Sequence, residues 1–349
     1  MVLSLRPTDR PADKPQDTPD MLAFQVLCVS LWSLSSYALG QQCSEIEQSV
    51  VLVKIGGSAI TDKSTKETIN AGAITWFSET ISRSLLSERV DSCADPPLSY
   101  IIVHGAGSFG HHTAKEFGIK SETAPPDSAK QDRTAANAVV MGGLARTRHS
   151  VKALNHYIVE SLLNSGVSAV GISPCFGIAG VQSHRGLDQN FIDVVNATLR
   201  AGLIPVLHGD ACLHGEFGAG ILGGDVLMEA LGISSLPILK TVFVTDVPGI
   251  FSADPRKVAD AVLISTINID NEGRLCTTVN ATGSSHEHDV TGGIAAKLGV
   301  AISIARAGND VIVVESESKS AQQALSGKQH DVGTAIQRND VCQAVRTRA

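Results

Sequence analysis

The chain has 349 residues, of which 43% are hydrophobic, 4% aromatic and 32 are glycine. This mix suits one large or two modest glycine-punctuated α/β domains and excludes a fibrous or wholly disordered chain. A formal net charge of −7 excludes a broad basic surface for nucleic acid and leaves room only for a local basic pocket.

The N-terminal part stands apart. Residues 1–20 are rich in Pro, Asp and Arg and read as disordered. Met21 to Gly40 is largely apolar and ends in Ala-Leu-Gly, a small-residue pattern that a signal peptidase could cut. Serines and a glutamine interrupt it, so it makes a poor membrane span, and no stable membrane insertion is expected. Residues 1–48 are set aside as an extension, either signal-like or dispensable. The expected location is cytoplasmic, or secretory or organellar if Met21–Gly40 acts as a targeting segment. The seven cysteines are scattered, odd in number and form no C-x-x-C, so buried or free thiols are expected rather than a disulfide framework or a zinc site.

From Ser49 onward, strand-length apolar runs alternate with helical patterns. The runs are "VVLVKI" (Val50–Ile55), "YIIVHG" (Tyr100–Gly105), "SAVGIS" (Ser168–Ser173), "IPVLHG" (Ile204–Gly209), "TVFVTD" (Thr241–Asp246) and "DVIVVE" (Asp310–Glu315). Nearly unbroken β-branched runs fit strands buried on both faces of a parallel sheet. Spans such as Thr134–Ser165 and Gly293–Ala307 read as helices between them. The alternation predicts an open α/β sheet with helices on both sides, whose ligands bind at the carboxyl ends of the strands.

The residues at those ends are the informative ones. "KIGGSAITDKS" (Lys54–Ser64) looks like a P-loop but carries Asp62 where that motif needs glycine. Glycine lets a backbone approach a phosphate closely and offer its N–H groups. Gly56, Gly57 and Ser58 could hold one phosphate, Gly105, Gly107 and Gly110 a second, and Gly292 and Gly293 a third. Lys54, Lys63 and Lys297 sit beside these turns and could neutralise phosphoryl charge. Two phosphate cradles with cations between them describe a phosphoryl-transfer site. "GAGSFG" also matches the dinucleotide fingerprint, but no strand-ending acidic residue follows about twenty residues on, which argues against a nicotinamide or flavin site. His111 or His112 could donate to an acceptor phosphate. Asp210, Asp225 and Asp246 could each bind Mg²⁺, orient a lysine or cap a helix. The turn chemistry of "TDVPGIFSADP" could wrap an adenine.

In this order the motifs "VKIGGSAITDK", "VHGAGSFGHHTAKEFG", "PVLHGD", "ILGGDV", "VTDVPGIF" and "DVTGGIAAKL" resemble the amino acid kinase superfamily, and within it the isopentenyl phosphate kinases. The likeness runs from about Val50 to Arg338, with "GTAIQR" similar to the family's closing strand. It implies a three-layer αβα sandwich with a largely parallel central sheet, a homodimer, and ATP with Mg²⁺ as cofactors. It implies one kinase domain over 49–349, with an acceptor half of about 49–205 and a nucleotide half of about 206–349. It implies phosphorylation of isopentenyl phosphate, with a phosphonate, nucleotide or amino acid as the alternative acceptor. By the same likeness Lys54, Gly56, Gly57 and Ser58 handle the transferring phosphoryl group, and Lys63 assists. Ala106, Gly107 and Gly209 lie at the acceptor or γ-phosphate, and His111 grips the acceptor phosphate. Thr245, Asp246, Gly249 and Ile250 border the nucleotide, and Gly293 and Lys297 hold its phosphates. Ala106 departs from a glycine common in microbial members, so its φ is expected in an ordinary region. Residues of the Thr134–Leu144 helix and Phe176 are candidates for the wall of the C5-tail pocket.

Overall fold

A computed structural model describes residues 48–62, 64–91, 97–121, 133–175, 189–214, 218–253, 255, 258–276, 293–326 and 331–339. The expectations about residues 1–47, Lys63, Phe176 and Gly292 lie outside the described residues. Among the described residues no helix is long and apolar enough to cross a membrane.

The chain runs through β1 (Ser49–Ile55), α1 (Gly57–Ile60), α2 (Ala71–Asp91), β2 (Leu98–His104), α3 (Gly107–Glu116), β3 (Lys120–Ser121) and α4 (Arg133–Asn164). It continues through β4 (Ala169–Ile172), α5 (Gln189–Arg200), β5 (Ile204–His208), β6 (Asp210–His214), β7 (Gly218–Leu222) and α6 (Gly224–Gly232). Then come β8 (Ile238–Thr245), β9 (Thr266–Ile269), α7 (Gly293–Arg306), β10 (Val311–Glu315), α8 (Lys319–Leu325) and β11 (Thr334–Arg338). The central sheet has the order β4-β5-β2-β1-β8-β10-β11-β9. Its pairs are parallel except β10 with β11, which is antiparallel. A second, smaller sheet has the order β3-β7-β6.

The sequence of β1 explains the layering. Its side chains alternate faces, and all from Val50 to Ile55 are buried. Val50 and Leu52 pack with Phe191 and Val195 of α5, Leu227 of α6 and Ile304 of α7. Val51, Val53 and Ile55 pack with Phe77 of α2, Leu154 and Ile158 of α4, and Leu325 of α8. Each such side chain contributes about 1.5–3 kcal/mol by leaving water, and truncating Leu52 to alanine costs about 2–5 kcal/mol. The result is the expected αβα sandwich. With both faces covered, the ends of the strands are the part of the sheet left for a ligand.

Those ends are tied to one another. The Gly56 N–H donates to the Val244 carbonyl at 2.9 Å, that of Gly105 to Ile55 at 3.0 Å, and that of Gly209 to His104 at 3.3 Å. So the turns after β8, β1, β2 and β5 form one interlocked edge. The pair β6 and β7, the pairing register of which runs Asp210 with Leu222 to His214 with Gly218, was not foreseen, because its glycines and mixed polarity read as turn. Cys175 and Cys212 form a disulfide, with Cα atoms 6.0 Å apart across 37 residues, and Cys276 is also disulfide-bonded. This corrects the expectation of thiols: the partners are adjacent in space, not in spacing.

Candidate active site

A cavity of about 540 Å³ opens over the carboxyl ends of β1, β2 and β5. It gathers Lys54, Gly56, Gly57 and Ser58 from the first turn and Gly105, Ala106, Gly107, Gly110 and His111 from the second. Gly209, Asp210, Asp225 and Lys297 complete it from later segments. Its size is that of a small-ligand pocket. A neighbouring hollow shares Lys54, Gly56 and Lys297 and is walled by Thr245, Gly249, Ile250, Phe243 and Val313. The first hollow brings backbone turns and lysines together, and the second is mostly apolar.

The two glycine turns touch backbone to backbone. A Cβ on Gly57 would lie 2.4 Å from the Gly107 nitrogen, and one on Gly105 would lie 2.6 Å from the Gly57 nitrogen. Gly107 also takes φ +51°, a left-handed conformation that glycine adopts without strain. Thr61 stitches the turns together. Its Oγ1 donates to the Gly57 carbonyl at 2.7 Å and accepts from the Ser108 N–H at 3.0 Å. The first N–H groups of α1 and α3 have no partner within their own helices and lie at the cavity, where Gly57, Ser58 and Gly107 form its wall. The backbone of both turns therefore lines one space, the kind of setting in which N–H groups can meet an anion. Ala106 has φ −71°, the ordinary region expected for it.

Cations complete the electrostatics. Lys54, at the end of β1, is only 7% exposed. Its ammonium contacts the Asp225 carboxylate at the start of α6 and lies 5.9 Å from the Phe243 ring centre. Burial holds the Lys54 pKa below its ordinary value, nearby Lys297 adds to this, and Asp225 opposes it by charge and hydrogen bond. Lys297, one turn into α7, reaches Thr245 Oγ1 at 3.5 Å. A hydroxyl–carboxylate bond of 3.2 Å joins Thr245 to Asp246. The Ile250 N–H donates to Thr334 Oγ1 at 2.8 Å, and that hydroxyl donates to the Ile264 carbonyl at 2.6 Å. The turn that carries Gly249 is thus fastened to the closing strand β11.

The other predicted positions sort as follows. His111 is exposed on α3 and lines the cavity; His112, set aside in the family likeness, lines it too. Gly293 begins α7, and Asp246 lines neither hollow. From α4, Thr147 and Val151 line the cavity; the tail-pocket candidates at residues 134–137 and Phe176 have side chains outside the described ones. Asp210 is not free to serve a lysine or metal. Its carboxylate accepts from Ser173 Oγ at 2.6 Å and the Ala211 N–H at 2.8 Å, and pairs with Arg148 at 3.4 Å. Thr61, Arg148 and Thr147 carried no signal of their own: the links from Thr61 to Ser108 and from Arg148 to Ser173 and Asp210 are distant in sequence, and Thr147 lines the cavity from within α4. Among the described residues no group of three His, Cys, Asp or Glu side chains is placed to hold a metal ion.

Opposed backbone cradles, a buried lysine held by an aspartate, and an apolar hollow alongside are what a small-molecule phosphotransferase on an α/β sheet needs. Residues 49–316 match the amino acid kinase family, and the chain belongs to it. It is 32% identical over 316 residues to the isopentenyl phosphate kinase of Arabidopsis thaliana, covering 80% of this chain and 91% of that one. It is 30% identical over 273 residues to the isopentenyl phosphate kinase of Methanothermobacter thermautotrophicus, covering 77% and 90% respectively. Among solved structures, one described as isopentenyl phosphate kinase superposes with a TM-score of 0.63 at 26% identity, covering 82% of this chain and all of that one.

Proposed function

We propose that this protein transfers the γ-phosphoryl group of ATP to isopentenyl phosphate, giving isopentenyl diphosphate and ADP. The observation that carries the reading is one cavity in which His111, both glycine turns, Lys54 and Lys297 meet. The names of the relatives support the choice of acceptor. The acceptor would lie over residues 49–205 and the nucleotide over 206–349, with Thr245, Gly249 and Ile250 beside the base or sugar.

In this reaction a terminal oxygen of the acceptor phosphate attacks the γ-phosphorus in line. The bond from γ-phosphorus to the β–γ bridging oxygen breaks, and ADP leaves with that electron pair. A phosphate monoester dianion is already nucleophilic at neutral pH, so no side chain has to remove a proton. His111 donates to the acceptor phosphate and fixes its approach. The N–H groups of Gly57, Ser58 and Gly107, with Lys54, Lys63 and Lys297, offset the charge on the transferring group. Asp225 holds the Lys54 ammonium in place between the two hollows. Mg²⁺ would supply charge neutralisation on the nucleotide phosphates. The donor set fits an ion held mainly by phosphate oxygens and water, with Asp225 as the side chain able to assist. The family likeness implies a homodimer, placed in the cytoplasm, or in a secretory or organellar compartment if Met21–Gly40 acts as a targeting segment.

The test is an acceptor panel of isopentenyl phosphate, UMP, N-acetylglutamate and fosfomycin, run on the wild type and His111→Ala. The expected result is turnover of isopentenyl phosphate, lost by more than about tenfold in the variant while ATP still binds. Preference for another acceptor rejects the substrate. Full activity of the variant rejects the role of His111.

A further inference from the structure

Beneath the cavity lies a pair of buried imidazoles that the chemistry above does not use. His104 ends β2 and His208 ends β5, and the two are register partners in the sheet. They are 0% and 2% exposed, with ring centres 5.7 Å apart. Each is followed by a glycine that lines the cavity, and each turns its Nδ1 onto the carbonyl of that glycine. The distances are 3.1 Å from His104 to Gly105 and 3.0 Å from His208 to Gly209.

The hydrogen-bond network fixes the tautomers. A carbonyl oxygen only accepts, so each Nδ1 carries the proton. On His104 the second nitrogen, Nε2, lies 3.1 Å from the amide nitrogen of Asn155, which only donates. The same amide also donates to the Val206 carbonyl at 3.2 Å, which uses its two hydrogens. Asn155 therefore locks His104 as the neutral Nδ1–H form. Burial, and the neighbouring His208, push the His104 pKa down to about 3. Burial also lowers that of His208, against the opposing pull of Asp210 and with Lys152 and Arg148 adding to the decrease.

We infer that His104 and His208 are positioning residues for the phosphoryl-transfer site: they hold the Gly105 and Gly209 carbonyls turned away from the cavity. In a trans peptide the N–H points opposite to the carbonyl. Anchoring the Gly105 carbonyl beneath the site thus turns the Ala106 N–H toward the space that Ala106 lines. A flipped peptide would instead aim a carbonyl oxygen at a phosphate and replace an attraction by a repulsion. A backbone turn of two glycines and an alanine has few restraints of its own, and the imidazoles supply them from below. Neutral rings do this without adding a charge that would compete with His111 or the lysines.

The inference rests on the proposed reaction for its kinetic test, so a second readout is independent of any substrate. In the full-length protein, nitrogen-15 NMR of the histidine rings at pH 7 is expected to show the Nδ1–H tautomer for His104 and His208. An Nε2–H tautomer or a charged ring at either position overturns the inference, whatever the acceptor proves to be. In kinetics, His104→Phe is expected to lose about 10²-fold in kcat/KM for isopentenyl phosphate, with the KM for ATP changed less than threefold. His104→Asn places an amide N–H near the position of Nδ1 and is expected to regain at least tenfold of that loss. A Phe variant within twofold of wild type, or a folded Asn variant no better than Phe, overturns the assignment. If the Phe variant does not fold, the tautomer measurement and the Asn variant decide. A wild type that turns over a different acceptor rejects the substrate proposed above and leaves this test to be run with that acceptor.

Discussion

Replacing Gly57 by alanine probes the contact on which the site geometry depends. The new Cβ would sit 2.4 Å from the Gly107 nitrogen, 2.7 Å from the Gly107 Cα and 3.2 Å from the Gly105 carbonyl carbon. Heavy atoms rest about 3.5 Å apart, so the two turns must separate by about 1 Å. All three neighbours are backbone atoms, and none can swing aside as a side-chain tip could. Overpacking of this kind costs about 1–3 kcal/mol, which a domain of this size survives. A displacement of 1 Å between reacting groups costs about 10²-fold in rate. The expected outcome is a folded protein, shown by a single cooperative urea transition, with kcat down about 10²-fold when both substrates are varied. Gly166→Ala is the control. Gly166 has φ +80° and open space around it, so alanine there costs stability of about 1–2 kcal/mol and leaves kcat alone. A Gly57→Ala enzyme within threefold of wild type would show that the contact does not set the geometry.

Asp225→Asn removes the charge that opposes the lowering of the Lys54 pKa, while the amide oxygen can still accept a hydrogen bond. The wild-type kcat/KM should fall with rising pH below the lysine's ordinary range, and the variant should fall at still lower pH; coincident alkaline limbs would remove Lys54 from the chemistry. His104 stays neutral in the folded protein down to about pH 3 but takes a proton near pH 6.5 once unfolded. Its contribution to stability is full above pH 6.5 and is lost as pH falls toward 3, about 2 kcal/mol of it by pH 5. Urea titrations at pH 7 and pH 5 should show a smaller loss in His104→Asn than in the wild type, because only His208 remains buried and neutral there; an equal loss in both proteins contradicts the assignment. Gly142, inside α4 with nothing within 4 Å of its Cβ position, should gain about 0.5–1 kcal/mol as alanine. The next residue, Gly143, would meet the Phe117 Cβ at 2.2 Å and should lose stability as alanine, so opposite signs in thermal melts are the result to look for.

The central strands were legible because burial on two faces demands unbroken apolar runs. β1 spans Ser49–Ile55 where the run began at Val50, and β5 spans Ile204–His208 within the predicted Ile204–Gly209. The glycine turns at the strand ends, both of which line the cavity, were legible because each motif is local. Their mutual contact was not. Nothing in the spacing of Gly57 and Gly107 states that parallel strands β1 and β2 bring these two turns within touching distance. The same holds for Thr61, which bonds across 47 residues to Ser108, and for Arg148 and Ser173, which reach Asp210 from α4 and the end of β4. The small sheet was missed for a different reason. β6 and β7 are short and rich in small residues, and their apolar side is covered by Ala114 and Leu144 from α3 and α4, so no alternation marks them.

Asp210 and Asp225 show how the fold resolves what the sequence left open. Both follow glycine at the cavity, and both could have served a lysine, a metal or a helix end. The Asp210 side chain is fully buried and receives a hydroxyl, an amide and a guanidinium, so its polar atoms are satisfied within the protein. These contacts commit the residue to holding β6, Ser173 and α4 together. Asp225 keeps 37% of its side chain exposed and stands at the start of α6, where the helix dipole favours a carboxylate. Its bond to Lys54 spans the turn between the two hollows, and its free oxygen surface remains open to the cavity. A carboxylate that is stabilised from behind and accessible from the front can steady a lysine while phosphoryl charge builds up beside it. The one that is surrounded cannot. The difference lies in burial and partners, both products of the tertiary fold.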